Sequence, residues 1–123
     1  MVFTPQSKWQ DFGPAAQLKA YIDDFVRVGR TFGLAGGDPY WPLLSEYRKR
    51  LIILSSRGDY GYDEGGRIAA LNHVEPSVRT ALQHIGITRS ESLAAEYDEF
   101  ADDRLQASLA RAEGRWTYWS SAC

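Results

Sequence analysis

A chain of 123 residues with 44% hydrophobic and 24% charged side chains has the make-up of one ordinary globular domain. Its 14 Lys and Arg against 16 Asp and Glu leave a formal charge of −2 and no strongly basic stretch, which argues against nucleic acid as a partner because phosphate binding relies on clustered cations. No apolar run reaches the roughly 18 residues of a membrane span. The N-terminal MVFTPQSKWQ has neither the basic start nor the long apolar stretch of a signal peptide, and the only cysteine, Cys123, allows no internal disulfide or cysteine-based metal site. These features predict a single domain over residues 1–123 in the cytoplasm, with no nucleic-acid or membrane partner.

In chain order, Val2, Phe3 and Thr4 read as the end of a strand. Pro14 suits the first turn of a helix, where no amide donor is needed. Leu18, Ile22, Phe25 and Val26 then recur at helical spacing, predicting a helix over 15–28 that Gly29 would close. Residues 30–48, containing GLAGGDPYWP, read as a long loop with a short hairpin or helical turn. LIIL at 51–54 is the continuous apolar run of a parallel strand covered on both faces, and it empties into the loop SSRGDYGYDEGG at 55–66. A second helix should begin near Pro76, point Val78, Leu82 and Ile85 inward and end at Gly86. Residues 90–96, SESLAAE, fit a short strand. Asp102 or Asp103 can cap a last helix carrying Leu105, Leu109 and Ala112, and the tail GRWTYWSSAC reads as an arm packing elsewhere. The alternation of strands and helices implies a parallel sheet with right-handed crossovers.

Ligands of open parallel sheets bind beyond the carboxyl ends of the strands. Two segments meet that description: PQSKWQDFGP at 5–14 and SSRGDYGYDEGG. Their glycines, aromatics and backbone amides would suit a flat heterocycle. By composition alone, two ordinary turns at one sheet edge are the favoured reading. Asn72, His73, Glu75 and His84 lack a metal-ligand spacing, so His73 is better read as a helix-start or packing residue. Ser55 and Ser56 lack the glycine-flanked pattern of a nucleophile elbow. EYDEFADD places five acids in eight residues, either a cation site or, more commonly, a solvated helix start favoured by the dipole.

Four segments in one order carry a resemblance: FGPAAQLKAYIDDFVRVGRTF, LIILSSRGDYGYDEGG, LNHVEPSVRTALQHIGIT and AEYDEF. From Phe12 to about Phe100 the sequence resembles the flavodoxin-like NAD(P)H oxidoreductases of the FMN-dependent NADH-azoreductase and quinone reductase group. The resemblance implies an α/β, flavodoxin-like three-layer α-β-α fold with a parallel sheet. It covers the C-terminal part of that fold, without the first strands and the serine-rich phosphate loop. It implies that Trp9, Gln10, Asp11 and Phe12 occupy one flavin loop and Ser56, Arg57, Gly58, Asp59 and Tyr60 the other, with Phe32 in the substrate pocket. Lys8 stands where the family has proline, Asp11 where it has asparagine, and Asp59 where it has glycine. FMN would be the cofactor, NAD(P)H the co-substrate and a quinone or azo compound the acceptor, within a homodimer or higher homo-oligomer that completes each site. No side chain of the chain is then required as nucleophile or general acid. The alternative is a non-catalytic flavodoxin-like half-domain that associates as an oligomer and binds no flavin.

Overall fold

The apolar run around LIIL becomes the middle of a sheet because it has partners on both sides. The computed structural model describes residues 2–3, 13–34 and 41–122. Strand β4 (Arg50–Ser56) lies between β1 (Val2–Phe3) and β5 (Arg89–Ala95), and both pairings are parallel. The register runs from Val2↔Ile52 on one side, and from Arg50↔Arg89 to Ser56↔Ala95 on the other. Alternation along β4 sends Leu51 and Ile53 to one face, where they are fully buried, and Ile52 and Leu54 to the other, where they are half-buried.

Helices α1 (Ala16–Phe25) and α2 (Glu75–His84) cover the first face, where Ile22, Leu51, Ile53, Val78, Leu82, Ile85 and Ile87 form the core. The second helix matches its expected span, and Val78, Leu82 and Ile85 all point inward. The first is shorter than 15–28. It starts two residues after Pro14 and stops at Phe25, well before Gly29. Thr31 explains the stop, since its Oγ1 donates to the Phe25 carbonyl at 2.9 Å and accepts the Arg27 amide at 2.7 Å, drawing the chain out of the helix. The loop expected over 30–48 holds a small antiparallel pair, β2 (Phe32–Gly33) with β3 (Trp41–Pro42), followed by a 3-10 turn at Ser45–Tyr47.

Helix α3 (Asp103–Ser121) packs along β5. The cap is Asp102, whose carboxylate accepts the Arg104 amide at 2.9 Å. The tail corrects an expectation: it is no separate arm, because residues 114–121 continue the same helix. Nothing in GRWTYWSS breaks it. Thr117 and Ser121 hydroxyls fold back onto the carbonyls of Glu113 and Tyr118, and Arg115 lies over the Trp119 ring one turn on, at 5.1 Å. The buried Leu93 shares the Ile52 and Leu54 face, so α3 lies opposite α1 and α2 in a three-layer arrangement.

Candidate functional site

The segment leaving β4 at its carboxyl end is organised by one buried cation. Arg57 has a side chain only 8% exposed, and its guanidinium meets three carboxylates: Glu75 at 2.8 Å, Asp63 at 2.9 Å and Glu96 at 3.0 Å. Glu75 opens α2 and Glu96 follows β5, so the cation ties the ends of both strands to the start of the helix between them. Ser55 completes the cluster by donating to Glu75 at 3.0 Å. Burial opposes the charge on Arg57, but Glu75 and Asp63 outweigh it and raise its pKa. Burial likewise pushes the Glu75 carboxyl up, yet the charge and hydrogen bond of Arg57, with help from Ser55, hold it below its ordinary value.

The backbone of the same segment is sewn to the residues after β5. The Arg57 amide donates to Ala95, and the carbonyls of Arg57, Gly58 and Asp59 accept from Asp98, Glu99 and Tyr97. The amides of Gly58 and Asp59 donate to no acceptor among the described residues. Asp59 accepts from Arg67 at 2.6 Å and from the Tyr60 amide at 2.8 Å, and that Arg67 bond holds its carboxyl below the usual range. The acid that stands in place of the resemblance's glycine is therefore neutralised by its own loop. Further along, the loop closes on itself: Ile68 donates to the Gly61 carbonyl, and a Cβ on Gly66 would lie 2.5 Å from that same oxygen, so only glycine fits.

An aromatic stack stands beside this crest. Tyr60 lies on Tyr97 with ring centres 4.8 Å apart and planes 20° from parallel, and the Arg67 guanidinium lies 4.4 Å from the Tyr60 ring centre. Phe100 meets Tyr97 edge-on at 6.2 Å, and Arg104 lies 4.5 Å over the Phe100 ring.

The structure thus brings Ser56, Arg57, Gly58, Asp59 and Tyr60 together at the carboxyl edge, but with unequal roles. Arg57 faces inward, and both its side chain and its backbone are occupied. Phe32 is elsewhere: its ring packs 4.8 Å from His84, at the far end of α2 from Glu75. Trp9, Gln10, Asp11 and Phe12 lie outside the described residues. Asp63, Arg67 and Tyr97 carry no signal in the sequence, and Glu75 and Glu96 are read there in other roles. Glu96 stood within an acidic run, and Glu75 beside two histidines. Their signal is positional, since acids that end β5 and begin α2 must meet a residue that ends β4 in a parallel sheet. His73 is exposed, and its carbonyl accepts from the Ser77 hydroxyl.

A flat ring with exposed acceptors fits this crest. The amides of Gly58 and Asp59, unmatched among the described residues, can donate to ring oxygens or nitrogens, and the nearby acid is already paired. Among the described residues no group of three His, Cys, Asp or Glu is placed to hold an ion.

Comparison with known proteins gives concordant results. A family model described as the flavodoxin-like fold matches residues 10–116. An FMN-dependent NADH:quinone oxidoreductase 2 of Idiomarina loihiensis is 38% identical over 117 residues, spanning 93% of this chain and 48% of that protein. An FMN-dependent NADH:quinone oxidoreductase 1 of Pseudomonas fluorescens is 42% identical over 108 residues, 85% of this chain and 50% of its own. The chain spans about half the length of the curated relatives it matches. Among solved structures, an FMN-dependent NADH-azoreductase from Bacillus anthracis in complex with FMN superposes with a TM-score of 0.70 at 18% identity, over 90% of this chain and 52% of that one. At that identity the likeness speaks to fold.

Proposed function

The chain belongs to the family of the flavodoxin-like fold, and from that premise we propose that it forms the ring end of an FMN site in an NAD(P)H-dependent oxidoreductase acting on quinones or azo compounds. The observation that carries this reading is the crest at the carboxyl edge of β4: the amides of Gly58 and Asp59, without an acceptor among the described residues, on a loop that Arg57 fixes from below. The names of the relatives support the same cofactor and acceptor class. Hydride uptake from NAD(P)H and reduction of the acceptor are chemistry that FMN supplies when bound. The protein's share is to bind, orient and shield.

Within that share, the Gly58 and Asp59 amides donate to the ring, Ser56 and Tyr60 border it, and Arg57 is a positioning residue. Trp9, Gln10, Asp11 and Phe12 are the opposing loop in this reading. Phe32, at the other end of α2, serves as a substrate-pocket residue only for the site of a second copy. The reading therefore includes a homodimer or higher homo-oligomer, one domain over residues 1–123, and a cytoplasmic location. The half-buried Ile52 and Leu54 support association.

The test is titration of the purified chain with FMN and with riboflavin, followed by flavin fluorescence. Because these loops address the ring, riboflavin should bind within a few-fold of FMN, and a Gly58→Pro variant, which removes one amide donor, should weaken both. Failure of either flavin to bind would sink the reading and leave the alternative, an associating half-domain without flavin.

A further inference from the structure

Beside the Arg57 cluster, a cavity of about 560 Å³ opens where the segment after Tyr62, the first turns of α2, Ser92 on β5 and α3 converge. Three guanidinium groups line it: Arg57, already committed to carboxylates, and Arg79 on α2 and Arg115 on α3. Among the described residues neither of the last two has a carboxylate within ion-pair distance, in contrast to Arg57, Arg67 and Arg104. Arg79 gives one bond, from Nη2 to the Ser92 Oγ at 2.8 Å. Its Nε is buried and, among the described residues, is the one buried side-chain nitrogen or oxygen with no partner.

That pattern is unusual. A guanidinium carries five donors, and buried donors in folded proteins almost always find acceptors. The acids around the same cavity do not supply them: Asp63 and Glu75 are committed to Arg57, and Glu64 pairs with neither arginine. Ser92, having accepted from Arg79, still has its own hydroxyl proton to give.

We propose that this cavity binds a small oxyanion, a phosphate or carboxylate group, held between Arg79 and Arg115. The planar fork of a guanidinium matches two oxygens of either group, and two forks from separate helices would fix the anion's place. No nucleophile or general acid is needed, since the site binds rather than reacts. Its wall shares Arg57, Asp63 and Glu75 with the cluster beneath the crest, but its anion contacts, Arg79 and Arg115, are not among the groups that face the flavin in the proposed function.

The experiment is calorimetric titration of the chain at constant ionic strength in a chloride buffer, using inorganic phosphate and malonate as separate probes. Saturable binding of at least one is expected, and the stronger of the two tells a phosphoryl from a carboxylate ligand. Arg115 is exposed and its ring contact is with Trp119 of its own helix, so Arg115→Gln should lower the anion-free melting temperature only slightly while weakening binding about tenfold or more. Arg79→Lys keeps the charge but loses the fork, and should also weaken binding. Absence of saturable binding for both probes, or an unchanged affinity in Arg115→Gln, would overturn the proposal.

Discussion

Arg57 is a buried charge whose value lies in what it joins. Removing one partner of a buried pair leaves the other uncompensated, which typically costs about 3–5 kcal/mol. Arg57 and Glu75, with side chains 8% and 6% exposed, meet that description. Arg57→Met should therefore lower unfolding stability by about that amount in urea denaturation, and Arg57→Lys by less, because it keeps the charge and loses only the fork. A loss below about 1 kcal/mol in Arg57→Met would show that the cluster does not hold the loop. The same pair sets a pH dependence. Glu75 titrates lower in the folded chain than its ordinary 4.5, so the unfolded chain binds more protons in that window and stability rises with pH. Its contribution is complete above about pH 4.5 and is lost as pH falls through the lowered folded value. Thermal melts taken from pH 6 downward should show that loss, and Glu75→Gln should flatten it.

Among the elements, those with a strong local pattern were legible in the sequence. LIIL between turn residues marked β4, and Val78, Leu82 and Ile85 at helical spacing marked α2, because in each case one face of the pattern enters the core. Endings set by side chains far along the chain were not legible. Thr31 closes α1 from six residues beyond Phe25, and nothing in the helical spacing of Leu18 to Val26 reports it. The aromatic-rich tail looked unlike a helix by composition, yet its serine and threonine hydroxyls satisfy carbonyls of their own helix. The site was legible as a loop and not as a network, since the acids meeting Arg57 lie 6, 18 and 39 residues away. Gly86 is an ending that was read correctly, and it has a measurable consequence. Its φ is +103°, and a Cβ there would lie 2.5 Å from the Ser45 backbone nitrogen. Gly86→Ala should cost roughly 1–3 kcal/mol from backbone conformation alone, and more from the clash. Gly114→Ala, in open space within α3, should instead stabilise by up to about 1 kcal/mol. Chemical denaturation of the two variants would give opposite signs; a matching sign would contradict this account of where α2 must stop.

At the scale of the molecule, the two faces of the sheet are not equally covered. Leu51 and Ile53 are sealed under α1 and α2, whereas on the opposite face α3 runs beside β5 and covers Leu93 but leaves Ile52 and Leu54 half-buried. Full burial of a Leu or Ile side chain is worth about 1.5–3 kcal/mol relative to exposure, so a surface that covers these two gains a substantial part of that amount. In the proposed homo-oligomer this face is the contact surface. Two consequences separate it from simple surface roughness. The melting temperature should rise with protein concentration, as it does whenever the folded state alone associates. Leu54→Lys should reduce association strongly while lowering the stability of the separate chain by only roughly 1 kcal/mol, because the side chain it replaces is already partly in water. Sedimentation velocity over a hundredfold concentration range measures the first effect directly. A wild-type chain that stays monomeric throughout, or a Leu54→Lys chain that associates equally well, would move the contact surface away from Ile52 and Leu54 and leave that sheet face to meet water.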